Sequence, residues 1–341
     1  MDSGLLLRQV IAVGIAFGLS YHGLSKKSLN MSGSVAAVFV GYAAFACSYR
    51  FGLLLILFYY SSSKLTKWKQ DYKAKIEEDY AVGGQRNWMQ VFASSLLATF
   101  VCIGFYLLCG EDQHISFGEP YDNEDRVELL GFNINRGVLA SYLWVIYIAH
   151  YCTSNADTWA SELGVLSKNE PRLVTSFFVR VVPRGTNGGM STFGTAASAA
   201  GGLFIGAIFY VGSFFLSGPA VAAQYPVLVY SLLCGLLGSL VDSLMGATLQ
   251  ATYYSTERKC IVKIHSAAEL AGNKDSSIVR ICGLDWLSNE AVNFWSIFVT
   301  MVLSVWLAPN VYCWVDAQQC FEANRLNDYL YSVFASLLMK N

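Results

Sequence analysis

Val227–Ala247 reads VLVYSLLCGLLGSLVDSLMGA. A helix of this length crosses a hydrocarbon core of about 30 Å, and the run carries one charge, Asp242. Gly235, Gly238, Ser239, Asp242 and Gly246 recur at i, i+3, i+4, i+7 and i+11, which is one helical stripe. Small residues in a stripe let a second helix approach closely. They also bring the carboxylate into that contact, where an unpartnered Asp is costly. Asp242 therefore calls for an Arg partner or for a metal ion shared with a second carboxylate.

Seven further apolar segments surround this one: Leu5–Ser20, Ser34–Ser48, Phe51–Tyr60, Val91–Cys109, Val138–Cys152, Ala196–Leu216 and Ala291–Leu307. Of 341 residues, 54% are hydrophobic and 14% charged, against roughly 25% charged in an average soluble domain. Mean hydropathy is +0.41. The expected fold is an all-α, polytopic membrane helix bundle of about eight hydrophobic segments, one integral domain over residues 1–341. Arg8 within the first stretch and the lack of an A-x-A site mark it as a retained span, not a cleaved signal, and no transit peptide is visible. Tyr49 and Arg50 part the second and third segments, and the loop charges favour a tight hairpin there over one bent span.

Lys and Arg set the orientation. Residues 61–88 form a basic cytosolic loop, and residues 110–136 an acidic, non-cytosolic one. The loops carrying Lys168, Arg172, Arg180 and Arg184, and then Arg258, Lys259, Lys263, Lys274 and Arg280, face the cytosol. The N-terminus lies outside. Residues 324–339 have the spacing of an amphipathic C-terminal helix. A multi-pass protein of an endomembrane or the plasma membrane follows. A net charge of −1 with no basic run gives no reason to expect nucleic acid as a partner. Of nine cysteines, Cys47, Cys102, Cys109, Cys152 and Cys234 sit in or beside apolar runs. No zinc spacing occurs, while Cys313 and Cys320 are placed to form a disulfide if that end faces a lumen.

In this topology seven polar clusters collect on the cytosolic side: KKSLNMSG (Lys26–Gly33), SSSKLTK (Ser61–Lys67), GGQRNWMQ (Gly83–Gln90), NADTWASELG (Asn155–Gly164), GTNGGMSTFGT (Gly185–Thr195), VDSLMGATLQ (Val241–Gln250) and LSNEAVN (Leu287–Asn293). On a helix, Asp157, Ser161 and Gly164 share one face, and Asn155, Thr158 and Glu162 its neighbour. That wall reads either as a helix end, with Asp157 as cap and Glu162 solvated, or as a site with two carboxylates. Gly185, Gly188 and Gly189 make a turn that feeds Ser191, Thr195 and Ser198 on the next helix. Such a turn suits a phosphate, although close helix packing explains Gly202 and Gly206 equally well. It is neither a Walker motif nor a dinucleotide fold. Mg²⁺ takes one or two carboxylates plus substrate phosphates, so Asp157 and Asp242 would suffice. Asn289 and Asn293, at i and i+4, would add amide contacts. Lys64, Thr66, Lys67 and Arg86 read equally as a clamp for a second phosphate or as positive-inside anchors, whereas Lys69, Lys73 and Lys75 read as anchors.

DTWASELG, the GTNGG run, DSLMGA and the SSSKLTK…GGQRNW segment together resemble the transmembrane protein 19 family, catalogued as domain of unknown function 92, from about Lys26 to Phe294. That family includes the plant chloroplast phytyl-phosphate kinase, which makes phytyl diphosphate. D-x-x-A-S-x-x-G followed by a Gly/Ser/Thr run is also similar to phytol kinases, dolichol kinases and CTP-using phosphatidate cytidylyltransferases, in which it is associated with CTP and Mg²⁺. Here it maps onto Asp157, Ala160, Ser161 and Gly164, then Gly188 to Ser198. No Lys stands in the Gly-rich run, and Arg184 and Asn187 are nearest. The resemblance implies a CTP-dependent isoprenyl monophosphate kinase. Asp157 and Asp242 would hold Mg²⁺. Thr186, Gly188, Gly189, Ser191, Gly194 and Thr195 would receive donor phosphates. Lys64, Lys67 and Arg86 would neutralise the acceptor, and Asn155, Ser161, Glu162, Asn187, Asn289 and Asn293 would orient ligands. A transporter, or a noncatalytic regulator that keeps the fold, stays open beside it.

Overall fold

The computed structural model describes residues 3–78, 84–110, 113–118, 125–129, 132–217, 224–262, 277–320 and 324–325. Its axis is a long helix, Arg136–Gly164, which packs against most of the others. In chain order the helices are α1 (Ser3–Ser25), α2 (Met31–Cys47), α3 (Tyr49–Lys67), α4 (Gln70–Lys73), α5 (Trp88–Ala93), α6 (Leu96–Cys109), α7 (Arg136–Gly164), α8 (Thr192–Ser217), α9 (Pro226–Leu249) and α10 (Asn289–Val315). Asn135 caps α7, its side chain accepting from the N–H groups of Gly137 and Val138. Residues 144 to 156 of α7 are buried almost without interruption because α3, α6, α8, α9 and α10 cover it. Phe51 of α3 stacks on Trp144 with ring centroids 4.1 Å apart, and Tyr147 donates to the Phe51 carbonyl at 2.8 Å. Lipid offers no hydrophobic drive between helices, so contacts of this kind hold the bundle.

Among the described residues, four helices, α1, α8, α9 and α10, are long and apolar enough to cross a membrane. The small-residue stripe of α9 serves the close approach its spacing implies. A Cβ on Gly235 would lie 2.8 Å from the Gly202 Cα of α8, and one on Gly238 would meet the Thr153 side chain of α7 at 2.4 Å. Ser239 accepts from the Ser198 hydroxyl at 2.9 Å. The C-terminal ends of α7 and α9 meet the N-terminal ends of α8 and α10, and this is the polar end of the bundle.

Polar residues set the breaks. Ser48 is extended, and its hydroxyl caps α3 through Arg50 N–H, so the second and third segments are two helices packed on each other. The segment expected over Val91–Cys109 divides at Ser94 and Ser95 into α5 and α6. His150 of α7 enters the break and bonds the Ser94 carbonyl at 2.8 Å. Arg50 is 1% exposed yet satisfied, donating to Ser213 Oγ at 3.0 Å and the Gln113 carbonyl at 2.6 Å above the Trp144 ring.

The loops hold more structure than their charges suggested. Strands β1 (Arg126–Leu129) and β2 (Phe132–Asn135) form a hairpin inside the acidic loop. Residues 61–88 are not simply a loop, because α3 continues to Lys67 and α4 follows. Beyond α7, β3 (Arg172–Leu173) pairs with β4 (Gly189–Met190). The basic stretch after α9 folds into an antiparallel sheet ordered β6-β5-β7, from β5 (Thr252–Ser255), β6 (Cys260–Val262) and β7 (Ile278–Cys282). Its β-branched and aromatic residues are the sequence signal that loop charge concealed. The amphipathic helix expected over 324–339 lies almost wholly outside the described residues. Cys313 and Cys320 are joined in a disulfide.

Candidate functional site

Asp157 stands seven residues before the end of α7 and Asp242 seven before the end of α9, so both enter the polar end at one depth. Their carboxyl groups come into direct contact. Ser296 of α10 donates its hydroxyl to Asp242 Oδ2 at 2.7 Å, and the Asn293 carboxamide lies 3.3 Å from the same oxygen. No Arg or Lys pairs with either Asp among the described residues. The helix-cap reading of Asp157 does not hold, since the helix runs on past it.

Two like charges in contact under partial burial require a cation or a shared proton. No group of three His, Cys, Asp or Glu side chains gathers among the described residues, so no all-protein metal cage is present there. Two carboxylates, a hydroxyl and a carboxamide suit Mg²⁺, which keeps water and takes the rest of its oxygens from phosphate.

A second charged row adjoins this pair. Glu162, just over one turn beyond Asp157, acts on it electrostatically. Glu162 also forms a salt bridge at 2.5 Å to Lys73, whose side chain is 4% exposed. Lys73 donates further to the Leu65 carbonyl at 2.7 Å, which fixes α4 against the end of α3. Arg86 faces the same carboxylate; burial pushes its guanidinium below the usual value, and Glu162 raises it again. Asn155 is buried. It accepts from Ser61 and Ser62 at 3.0 and 3.3 Å and donates to the Gly201 carbonyl at 2.8 Å, joining α3, α7 and α8.

The Gly-rich run is placed beside α9 but is largely satisfied from within. The N–H groups of Thr186 and Gly189 donate to Pro183 and Thr186 carbonyls, that of Asn187 to Thr252 Oγ1, and that of Gly194 to Ser191 Oγ. Ser191 thus caps α8. Gly188, at φ +70°, lets the turn touch α9, because a Cβ there would lie 2.4 Å from Ala247 Cβ. Lys64, Ser161, Thr195 and Asn289 are exposed, and Ser161 bonds back to the Thr158 carbonyl. Lys67 donates to the Lys26 carbonyl at 2.9 Å.

All seven polar clusters are nonetheless linked. Asn30 N–H bonds the Arg86 carbonyl, Ser61 bonds Asn155, Gly188 touches Ala247, and Ser296 one turn past Asn293 bonds Asp242. The β6-β5-β7 sheet ties the Gly-rich run to the segment after α4, through Thr252 on one side and Ile261 N–H to the Ile76 carbonyl on the other. Lys73 and Ser296 escape sequence reasoning. Lys73 lies among exposed lysines, and Ser296 lies in an apolar run, with only its i+3 spacing from Asn293 as a signal.

The profile of the family described as Integral membrane protein DUF92 matches residues 14–301. The chain belongs to this family. Protein PGR of Arabidopsis thaliana is 34% identical over 308 residues, which are 89% of this chain and 97% of that protein. Uncharacterized membrane protein sll0875 of Synechocystis is 27% identical over 209 residues, 60% of this chain and 65% of that one. Protein VTE6, chloroplastic, of Arabidopsis thaliana is 33% identical over 104 residues, 30% of this chain and 28% of its own length. No solved structure matches the DUF92 chain described here.

Proposed function

We propose that this DUF92 protein is a membrane phosphotransferase that moves the γ-phosphoryl group of a nucleoside triphosphate, CTP being the expected donor, onto an isoprenyl monophosphate. The observation that carries the proposal is the Asp157–Asp242 contact, left without a protein cation and flanked by the Glu162, Lys73 and Arg86 row. The bond between the γ-phosphorus and the β–γ bridging oxygen breaks, and a bond from that phosphorus to an acceptor phosphate oxygen forms. The nucleoside diphosphate leaves with the bridging oxygen and its electron pair. The acceptor is already anionic, so no general base is needed, and positioning with charge neutralisation carries the rate.

Asp157 and Asp242 would hold Mg²⁺, which supplies neutralisation of the donor phosphates when bound. Ser296 and Asn293 fix the Asp242 carboxylate. Lys73 holds Glu162, and Asn155 locks the ends of α3 and α8 to α7. An apolar groove between α1, α2, α3 and α5, lined by Leu29, Val40, Gly41, Leu55 and Phe58, reaches Arg86 at the start of α2. The groove is narrow, about 70 Å³, and would take part of a lipid tail whose phosphate meets the Arg86 guanidinium. Transporters carry their paired polar sites near mid-membrane, whereas these carboxylates lie roughly 10 Å from the ends of their helices, which favours the transferase.

The test is direct. Purified protein with Mg²⁺, labelled CTP or ATP and a panel of prenyl monophosphates is expected to give labelled prenyl diphosphate, and Asp157→Asn to abolish it. Absence of product from every pair overturns the proposal.

A further inference from the structure

The donor phosphates need a landing place, and the Gly-rich run offers few free N–H groups. A different part of the polar end offers charge. Lys69, Tyr72, Leu166, Ser167, Lys168 and Arg184 enclose a pocket of about 380 Å³, within the range of roughly 300–1,000 Å³ typical of small-molecule sites. Three of its six residues are cations and none is acidic. None of the three is in an ion pair among the described residues.

Local structure builds the cluster. Lys69 sits in the left-handed region at φ +52° between α3 and α4, which turns the chain back toward α7. Leu166 and Ser167 close the end of α7 by bonding the Leu163 and Gly164 carbonyls. Arg184 donates to the Tyr72 hydroxyl and, at 3.4 Å, to the Lys168 carbonyl, so its guanidinium bridges the two walls. Like charges gathered this way repel in the absence of an anion. A planar guanidinium with two ammonium groups is a donor set suited to phosphate.

We infer that this pocket binds the polyphosphate of a nucleoside triphosphate at the same polar end of the bundle as Asp157. This inference rests on the transferase reading above. Leu166 lies two residues past the end of α7, whose last residue, Gly164, is seven residues or about 10 Å beyond Asp157. The Lys73–Glu162 pair occupies the interval, and Lys73 directly follows the pocket residue Tyr72. The ligand class is a nucleoside triphosphate; anionic lipid headgroups share its phosphate chemistry, and the experiment separates the two.

Full-length protein in detergent is titrated with inorganic tripolyphosphate, with CTP and with short-chain phosphatidic acid, read by calorimetry. The variants are Lys168→Gln, Arg184→Gln and Arg184→Lys, each first shown to melt like the parent without ligand. We expect tripolyphosphate to bind and to compete with CTP. Each Gln variant should bind both roughly tenfold more weakly, as loss of a charge-assisted contact implies, with partial recovery in Arg184→Lys. Equal tripolyphosphate affinity in parent and Gln variants overturns the pocket, even if prenyl diphosphate synthesis persists. Competition by phosphatidic acid but not by CTP overturns the nucleotide assignment. Charge-dependent binding of tripolyphosphate and CTP without any diphosphate synthesis instead sinks the transferase reading while the pocket stands.

Discussion

Asp157 of α7 and Asp242 of α9 hold their carboxyl groups in contact, and the hydrogen-bond donors on Asp242 are neutral: Ser296 and Asn293. Such a pair is unfavourable until a cation or a shared proton joins it. Asp242→Asn should therefore stabilise the ligand-free protein while destroying function, the trade expected where a site stores repulsion. We expect a rise of about 2–4 °C in melting temperature without ligand, and loss of the further rise that Mg²⁺ with CTP gives the parent. A fall in the ligand-free melting temperature, with Mg²⁺-dependent stabilisation intact, would show that the pair is neither strained nor a metal site.

The Lys73–Glu162 bridge gives the next expectation. Both side chains are largely buried, at 4% and 18% exposure, and removing one partner of a buried pair costs about 3–5 kcal/mol because the other is left uncompensated. Lys73→Met should destabilise strongly, more so because it leaves Glu162 beside Asp157. The double variant Lys73→Met with Glu162→Gln should recover most of the loss. A double-mutant cycle by thermal or denaturant unfolding in detergent measures this, and additive effects would show that the bridge carries no coupling.

These two pairs also mark what the sequence makes legible. The helices were readable because each needs an apolar run and caps, and both are local in the chain. Asp242 stood out because a lone carboxylate on a stripe of small residues needs a partner. Asp157 is the partner the sequence offers, because Mg²⁺ takes two carboxylates from different helices and D-x-x-A-S-x-x-G resembles a motif associated with CTP and Mg²⁺. Lys73 was not readable, since nothing local separates a lysine that bends back into the bundle from its solvated neighbours Lys69 and Lys75. The β6-β5-β7 sheet was masked in the same way, its short β-branched stretches lying inside a segment dominated by charge.

Glycine positions offer a test of packing alone. A Cβ on Gly202 would stand 2.4 Å from the Ser231 carbonyl of α9, whereas one on Gly104 of α6 meets nothing within 4 Å. Gly202→Ala should cost about 1–3 kcal/mol by forcing α8 and α9 apart. Gly104→Ala should be neutral or gain up to about 1 kcal/mol from helix propensity. Equal melting temperatures for the two variants would contradict the α8–α9 contact.

The disulfide offers a test of sidedness. Cys313 lies twenty residues beyond Asn293 on α10, about 30 Å along the helix, so the disulfide and the carboxylate pair occupy opposite ends of one span. Disulfides persist on the lumenal or external side, so an oxidised Cys313–Cys320 pair in the isolated protein would support a cytosolic carboxylate pair. Denatured, unreduced protein should take up seven maleimides and reduced protein nine, read by mass. Uptake of nine without reductant would remove this support for the topology.

The apolar groove makes a prediction about substrate length. Gly41 lies ten residues into α2, about 15 Å from the start of the helix, where Asn30 N–H bonds the Arg86 carbonyl. A phosphate at Arg86 would therefore bring the far part of a prenyl chain to Gly41 and Ala16. A Cβ on Gly41 would meet Ala16 Cβ at 3.5 Å, an ordinary contact, so a methyl group fits there. Gly41→Leu should project into the groove that Gly41 lines, and a melting temperature like the parent's checks that it folds. The Michaelis constant for long prenyl monophosphates should rise roughly tenfold or more, since a few displaced methylenes are worth about 1–3 kcal/mol each. Chains too short to reach Gly41 should be unaffected. Steady-state assays across a series of chain lengths decide it: a uniform loss at every length would mean that the tail lies elsewhere on the bundle.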